Sequence, residues 1–474
     1  MSLLQLNKQV LSDLSSISLS KKEWVKPKLT KEGHVYDVVI VGGGQSGLGT
    51  AFGLMRERIT NFLVIDENPE GFEGPWITYA RMYTLRTPKE LPSIDLGVPS
   101  LTFKSWYIAK NGAEAWEKLD KIPRTDWMEY LKWYRNVLKI PVKNEVKLDL
   151  IEPTDEGYHK LHVIEKGEQK VILARKVVLA TGIQGGGEWH VPAFIKELPK
   201  HLYAHTSEQI DFQQLKGKRI GILGGGASAF DNANYALLHG AKAAHVFIRR
   251  KQMQRINPIR HLEHSGIIER FHTLSDIEKY AVISHFFKYN QPPTNDTFQR
   301  AASFPGFALF TDSPWLSVEP TINGVKVVTP HDEYEYDFLI ISTGLISDPS
   351  LRPELRLIHK SIATWGDVIK APDEIRNPLV DRHPYLTPEF EFVPLDKDGQ
   401  NRVRGIFAFN YSALVSCGLS ASALSGIRFA IPKLVKGIAD ELFVEDKAFI
   451  LKEFYEYQEE EFIADLPSSS TPVA

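Results

Sequence analysis

The chain has 474 residues, of which 43% are hydrophobic and 24% charged, as is typical of a soluble globular protein. Its 56 basic and 59 acidic residues give a net charge of −3, which offers no basic field for nucleic acid or an acidic membrane surface. The single cysteine, Cys417, excludes an internal disulfide, a Cys-x-x-Cys redox pair and a multi-cysteine metal site in the monomer. We therefore expect a small-molecule partner, no metal and a cytoplasmic location, and we leave homo-oligomerisation open.

The first segment, residues 1–34, is predicted to be an N-terminal arm that starts with an amphipathic helix. Its apolar positions with helical spacing are Leu3, Leu4, Leu6, Val10, Leu11 and Leu14. The segment lacks the continuous apolar core of a secretory signal. No later segment approaches the ~18 uninterrupted apolar residues of a membrane span, so no membrane partner is expected.

The stretch VVIVGGGQSGLGTA, which starts at residue 38, predicts a buried strand that enters a helix through a glycine-rich turn. Gly42, Gly44 and Gly47 have the spacing at which glycines make the tight turn, admit a pyrophosphate and let helix and strand pack closely. The next apolar run ends at Asp66, where a carboxylate should meet a ribose hydroxyl. Strand, turn and acid together predict a dinucleotide site. The alternative for Asp66 is a solvated strand end.

The run RIGILGGGASAFDNA repeats this device, with Gly224, Gly226 and Ala229 at the three turn positions. The strand HVFIRR follows and carries Arg249 and Arg250 where the first copy has its acid. Arginine is expected at this place when the ribose bears a 2′-phosphate, so the second turn predicts a site for NADPH. The alternative is a solvated basic cluster at the edge of a sheet.

Two more glycines mark predicted crossing points between the nucleotide domains, Gly182 in KVVLATG and Gly344 in YDFLIISTG. The predicted fold is α/β, with two Rossmann-like dinucleotide-binding domains, the second inserted into the first. Residues 35–205 are expected to form the first part of the first domain, 206–346 the second domain, and 347–474 the rest of the first, including a substrate-facing C-terminal segment.

Taken together, the two turns, ATG, the run HTSEQIDFQQLKGKRIGILGGGASAFDNA and STG resemble the class B flavoprotein monooxygenases. This group includes flavin-containing, N-hydroxylating and Baeyer–Villiger monooxygenases, and the resemblance covers the chain from about residue 35 to 440. It implies that the first turn binds FAD and the second binds NADPH. The first domain is then the FAD-binding domain and the inserted one the NADPH-binding domain.

The resemblance also assigns site residues. Those expected to bind cofactor lie in the turns, the strand ends, the EGPW stretch, the crossing points and the C-terminal run: Gly42, Gly44, Gln45, Ser46, Gly47, Asp66, Glu67, Gly74, Trp76, Gly182, Gly224, Gly226, Ala227, Ser228, Arg249, Arg250, Gly344 and Leu419. The expected catalytic residues are Arg86, Trp76 and His205. Trp76 and Arg86 lie in segments that should pass the flavin, and His205 matches a linker histidine.

The match departs from the family at several positions. Pro199 and His201 replace the phenylalanine and glycine that precede the linker histidine. Arg86 takes the place of an asparagine that lies near the flavin in flavin-containing monooxygenases. Arg86 and Lys89 are consistent with an acidic or amino-acid-like substrate. The alternative is that they bind FAD phosphates or pair with local acids.

The C-terminal run SCGLSASALS resembles the His-Gly-Leu-Ser-x-x-Leu-Leu-Ser stretch of the N-hydroxylating branch, with Cys417 in place of the histidine. This favours N-hydroxylation of an amine or amino-acid-like substrate. The resemblance implies that NADPH gives a hydride to FAD, that O2 adds at the flavin C4a, and that the resulting (hydro)peroxide transfers one oxygen atom to a small molecule. Baeyer–Villiger or sulfur oxygenation is the alternative within the family.

Three readings without oxygen transfer stay open. Pyridine-nucleotide disulfide reductases also carry two such turns, but they need a thiol pair, and Cys417 has no partner. A ferredoxin-type reductase needs a charged docking face for a protein. A catalytically idle flavoprotein would act as a binding or sensor module. NADPH-dependent oxygen consumption distinguishes a monooxygenase from all three.

Overall fold

The computed structural model describes residues 1–17, 23–91, 94–264, 266–421 and 423–465. Its strands are β1 (Val35–Val41), β2 (Phe62–Ile65), β3 (Val142–Lys143), β4 (Val146–Pro153), β5 (His159–Glu165), β6 (Glu168–Leu179), β7 (Gly187–Trp189), β8 (Tyr203–His205), β9 (Arg219–Leu223), β10 (Ala243–Phe247), β11 (Phe307–Phe310), β12 (Ser317–Thr321), β13 (Gly324–Val328), β14 (Glu333–Tyr336), β15 (Phe338–Ile341), β16 (Leu345–Ser347) and β17 (Ile406–Phe407).

The α-helices are α1 (Leu3–Ser16), α2 (Gln45–Arg56), α3 (Phe103–Asn111), α4 (Ala113–Lys118), α5 (Arg124–Leu138), α6 (Ala193–Lys196), α7 (Ala227–Leu238), α8 (Pro258–His264), α9 (Ile267–Arg270), α10 (Asp276–Tyr289), α11 (Asn295–Ala302), α12 (Trp365–Val368), α13 (Pro378–Asp381), α14 (Gln400–Val403), α15 (Leu414–Cys417) and α16 (Leu424–Glu456). Short 3-10 helices cover Pro99–Leu101, Gln184–Gly186, Lys200–Leu202, Phe271–Thr273, Pro349–Leu351, Pro353–Leu355, His359–Ser361 and Tyr411–Ala413.

The first sheet has a parallel part in the order β3-β2-β1-β6-β17, and β5 and β4 extend it from β6 as an antiparallel meander. β1 is apolar over Val38–Val41 and buried there, as expected for a central strand covered on both faces. Helix α2 follows it and packs closely on α16, because Gly49 and Gly53 leave room for Ile431 and Val435. The first sheet thus carries the first glycine turn at the carboxyl end of its central strand.

The second sheet is fully parallel, in the order β11-β10-β9-β15-β8, and β9 enters α7 through the second glycine turn. A separate antiparallel sheet of β12, β13 and β14 follows α11 and β11. β8 pairs with β15, so the second sheet already begins at Tyr203, before the boundary predicted at residues 205/206. A three-residue strand has too little sequence pattern to be recognised, and only its pairing reveals it.

The N-terminal arm contains the predicted amphipathic helix. Helix α1 buries Leu6, Val10 and Leu14 against the first domain, while Leu4 and Leu11 stay exposed. The longest helix is α16, with 33 residues. Neither it nor any other helix in the described part of the chain is apolar enough over a sufficient length to cross a bilayer.

Candidate active site

The first glycine turn leaves an open helix start. Gly42 has φ +111°, and a Cβ there would collide with the carbonyl oxygen of Ala180. Gly44 is the N-cap of α2 and makes no side-chain cap bond. Apart from its chain neighbours and the backbone of α2 itself, no described residue has an atom within 4 Å of the point where a Cβ on Gly44 would stand. No side chain caps the first N–H groups of α2 among the described residues, which leaves them available to an anion.

The carboxylate that follows β2 helps to build this turn. Asp66 accepts hydrogen bonds from the backbone N–H of Gly43 at 2.7 Å and of Asn68 at 2.8 Å, and it is buried. Its neighbour Glu67 is exposed. Asp66 is therefore not a solvated strand end. A ribose contact by Asp66 or Glu67 stays a prediction.

The second turn has the same geometry. Gly224 has φ +136°, and a Cβ there would collide with the carbonyl oxygen of Ser342. Gly226 is the N-cap of α7, again with no side-chain cap bond, and beyond its chain neighbours and α7 itself the described residues place no atom within 4 Å of a Cβ position. The predicted residues Ala227 and Ser228 form the first turn of α7. The two turns thus have equivalent backbone geometry on separate sheets, and anion binding at each stays a prediction.

Tryptophans connect the EGPW stretch to the first turn. Gly74 has φ +78°, and the ring of Trp76 meets that of Trp127 edge-on at a centroid distance of 6.4 Å. Trp127 donates its indole N–H to the Gln45 side chain at 3.1 Å, in the first turn of α2. Arg124 donates to the carbonyl of Trp76. The structure thereby brings Trp76 and Gln45 together at the predicted FAD site.

The C-terminal run also reaches this helix start. The hydroxyl of Ser46 donates to the carbonyl of Ala421 at 3.5 Å, and Leu419 is buried beside it. Gly47 faces the turn itself, since a Cβ there would collide with the carbonyl oxygen of Gly42. The 418–421 stretch therefore lies at the start of α2, and its contact with the cofactor stays a prediction.

The single cysteine, Cys417, precedes that stretch and is expected to be unreactive. Cys417 is buried, and burial raises the pKa of its thiol to about 12. At neutral pH the thiol is protonated and a poor nucleophile. This environment does not suit a thiol that relays electrons to a disulfide.

His205 lies at the junction of the two sheets. Its Nδ1 is 2.8 Å from the hydroxyl of Ser207, and its ring is 5.0 Å from that of Trp189, which in turn meets the ring of Tyr79. Burial lowers the pKa of His205 to about 4, so the ring is neutral at pH 7. A neutral ring can orient a ligand by hydrogen bonding but contributes no charge there.

Both crossing glycines adopt positive φ, +70° at Gly182 and +80° at Gly344. The carbonyl of Gly182 accepts from the N–H of Tyr411, and that of Gly344 accepts from the N–H of His190. Beyond them, β7 and β16 pair antiparallel across the crossing. The two glycines thus stand where the chain passes between the sheets, as predicted.

Arg86 bridges the two domains. Its guanidinium forms an ion pair with Asp231 of α7, and its carbonyl accepts from Arg260 at 2.7 Å. Arg86 thus pairs with an acid, as one of the alternatives expected, but that acid is distant in the chain and not local. Lys89 instead donates to the carbonyls of Trp116 and Leu119. A direct catalytic role for Arg86 stays a prediction.

The two arginines after β10 have different environments. Arg250 donates to the Gln254 side chain at 2.9 Å and to the carbonyl of Lys288 at 2.7 Å. Arg249 is exposed and has no hydrogen-bond or ion-pair partner among the residues that the structure describes. The contact of either arginine with a 2′-phosphate stays a prediction. Arg249 has the freer guanidinium for it.

Asp231, Arg81 and Trp127 lie at the site but were not predicted from the sequence. Asp231 stands within ASAFDNANYALL, where one acid among small and apolar residues signals a buried carboxylate that needs a partner. Arg81 is 8% exposed and donates to the carbonyls of Thr78 and Glu208. Nothing in the local sequence could show that its side chain reaches the second domain.

Comparison with known proteins agrees with this architecture. A family model described as FAD-NAD(P)-binding matches residues 39–184, and one described as L-lysine 6-monooxygenase/L-ornithine 5-monooxygenase matches residues 115–295. The chain is 54% identical, over the full length of both proteins, to a FAD-dependent urate hydroxylase from Xanthomonas campestris pv. campestris.

Solved structures share the fold at low identity. The ornithine hydroxylase PvdA from Pseudomonas aeruginosa has a TM-score of 0.69 and 16% identity, over 86% of this chain and all of that one. The cadaverine monooxygenase DfoA from Erwinia amylovora, solved with FAD, has a TM-score of 0.64 and 17% identity, over 93% of this chain and all of that one.

Proposed function

This chain belongs to the class B flavoprotein monooxygenases, which use FAD and NADPH, and we propose that its substrate is urate. In this reaction one atom of O2 enters the purine ring and the other leaves as water, while NADPH and a proton supply the reducing equivalents. The observation that carries the proposal is the 54% identity to a urate hydroxylase across the whole of both chains. The N-hydroxylating structures share 15–17% identity with this chain, which supports the fold alone.

The two turns fit the two cofactors. Each turn begins with a glycine of positive φ. The N-cap that follows is also a glycine, Gly44 or Gly226, and no described residue beyond its neighbours and its own helix fills its Cβ position. A pyrophosphate at each helix start would accept from N–H groups that no side chain caps. FAD, when bound, supplies hydride acceptance and oxygen activation, and NADPH supplies the hydride.

The role of the protein is then binding, orientation and exclusion of water. Trp76, which packs against Trp127, and Trp189, which packs against Tyr79, would supply apolar aromatic surface to the bound cofactors. The neutral ring of His205 lies against Trp189 and can act as a hydrogen-bonding partner for a bound nucleotide. None of these residues needs to form a covalent bond with the substrate.

A substrate that binds beside Arg81 would meet a positive charge, which favours an anion over an amine. Arg81 is buried, and in the described part of the chain its donors meet carbonyl oxygens and no carboxylate. Burial lowers the pKa of Arg81, as expected for a cation without an acidic partner. Such a cation repels a protonated amine and attracts a planar anion. Urate is an anion at neutral pH.

N-hydroxylation of an amino-acid-like amine is the second candidate. The match of residues 115–295 to the lysine/ornithine monooxygenase model favours it, as does the Gly418–Ser420 stretch. Baeyer–Villiger or sulfur oxygenation would follow from the family alone. The 54% full-length relative outweighs these, because the other likenesses cover part of the chain or occur at low identity.

The test is a substrate comparison with the purified FAD-loaded protein. Oxygen and NADPH consumption are measured with urate, L-ornithine, L-lysine, a ketone and a thioether, and products are identified by mass. We expect urate to stimulate consumption and to gain one oxygen atom. Cys417→Ser should behave like the parent, because the thiol has no role in the reaction. Hydroxylation of ornithine or lysine without reaction of urate would overturn the proposal.

A further inference from the structure

The loop of residues 74–89, here called the interdomain loop, joins the two cofactor sites. It begins at Gly74 and Trp76 beside the first turn and runs to Arg86, which pairs with Asp231 on the helix that starts at the second turn. One short segment thus contacts the start of α2 through Trp127 and reaches the body of α7.

The Arg86–Asp231 pair is well buried. Asp231 is 5% exposed, and the Arg86 side chain is 23% exposed. On the second-domain side, the hydroxyl of Thr297 approaches the same carboxylate at 3.5 Å, and Arg300 adds a favourable charge. Removing one partner of a buried pair leaves the other charge uncompensated, so such pairs hold their elements firmly in place.

Other contacts also connect the interdomain loop to the second domain. Arg81 donates to the carbonyl of Glu208 at 3.2 Å, and its guanidinium lies 5.3 Å from the ring centre of Phe212. The guanidinium of Arg300 lies 5.0 Å from the ring centre of Tyr83. In the described part of the chain the loop is therefore fixed to the second domain at several places, and two of its residues contact α7: Arg86 pairs with Asp231, and the guanidinium of Arg81 lies 5.8 Å from the ring centre of Tyr235.

We propose that Asp231, acting through Arg86, is a positioning residue for hydride transfer from NADPH to FAD. Reacting atoms must approach to about 3–3.5 Å, and a displacement of 1 Å costs on the order of 100-fold in rate. Helix α7 carries the turn that holds the NADPH pyrophosphate, and the interdomain loop carries the Trp76 side of the FAD site. The ion pair fixes these two elements relative to each other.

The test uses Asp231→Asn, which keeps the shape of the side chain and removes its charge. The limiting rate of flavin reduction at saturating NADPH is measured anaerobically in FAD-loaded protein, with no organic substrate present. We expect a fall of about 10- to 100-fold. Reduction by dithionite should stay at the parent rate, because it requires no alignment of NADPH. Since urate takes no part, the result is independent of the proposed substrate.

Two further variants define the pair. Arg86→Lys keeps the charge but loses the guanidinium whose terminal nitrogen makes the pair with Asp231, and we expect an intermediate fall in the same rate. Arg86→Gln combined with Asp231→Asn should be no slower than the slower single variant, because both remove one contact. The matched control is Lys121→Gln, which breaks a more exposed interdomain pair with Asp296 and should change the rate by less than about 2-fold.

Several results would overturn the inference. Limiting reduction rates within about 2-fold of the parent in both Asp231→Asn and Arg86→Lys would exclude positioning. Multiplicative losses in the double variant would show that the two residues act separately. Loss of FAD from both single variants, or an equal slowing with dithionite, would show that the pair only maintains the fold.

Discussion

Arg249 is the residue on which we expect NADPH selectivity to depend. It follows β10 at the second turn, is exposed, and has no partner among the described residues. The neighbouring Arg250 already donates to Gln254 and to the carbonyl of Lys288. We therefore predict that Arg249→Ala weakens NADPH much more than Arg250→Ala does.

The magnitude follows from the contact that is lost. A hydrogen bond to a charged group contributes roughly 1.5–3 kcal/mol, and about 1.4 kcal/mol corresponds to one factor of ten. Loss of the 2′-phosphate contact should thus raise the KM for NADPH about 10- to 100-fold. The maximal rate should hardly change, because the 2′-phosphate is remote from the transferred hydride. Added salt should reduce the difference, because the site is exposed.

The assay is steady-state flavin reduction with NADPH and NADH for Arg249→Ala, Arg250→Ala and Lys251→Ala. Lys251 is an exposed neighbouring cation, so its loss controls for a general change in charge. NADH kinetics should be unchanged in the Arg249 variant, and Arg250→Ala should mainly lower the melting temperature. Equal use of both nucleotides by the parent would refute the reasoning. So would a response of Arg249→Ala that matches that of Lys251→Ala.

Three further outcomes are expected. Gly44→Val should fold normally, because the described residues beyond its neighbours and α2 place no atom within 4 Å of the Cβ position. It should nevertheless purify without FAD. A fully yellow variant would contradict the assignment of this turn. Arg81→Met should raise the KM for urate at least 10-fold through loss of a buried cation, whereas unchanged urate kinetics would remove Arg81 from the substrate argument. Burial lowers the pKa of His159, His205 and His383 to about 4 from 6.5. The unfolded state then binds more protons between pH 6.5 and 4, so the free energy of unfolding should fall with decreasing pH by roughly 3 kcal/mol per ring. Urea titrations at stepwise pH check this. In His383→Gln the free energy of unfolding should depend less steeply on pH.

The two nucleotide turns were predictable because their requirements are local. The glycine spacing itself predicts a positive φ at Gly42 and at Gly224 and an uncapped helix start two residues later. The strand before each turn shows as a continuous apolar run. From these came the α/β fold, the two cofactors and the family, all of which the comparisons support.

The substrate was harder to predict from the sequence alone than the cofactors were. The Gly418–Ser420 stretch resembled the N-hydroxylating branch, whereas the full-length relative is a urate hydroxylase. A short motif that lies at the start of α2 is expected to serve the cofactor site. It therefore reports the shared architecture of the family more than the oxygenated molecule.

Only the tertiary structure decided how distant residues and the two domains meet. The Arg86–Asp231 pair joins residues of the two domains that are 145 positions apart, and within the first domain Trp127 reaches Gln45 across 82. It also separated the free Arg249 from the bonded Arg250 and placed Tyr203 in the second sheet. Spacing along the chain fixes backbone geometry over a few residues. Long-range side-chain pairing depends on how helices and sheets pack, and local sequence does not encode that packing.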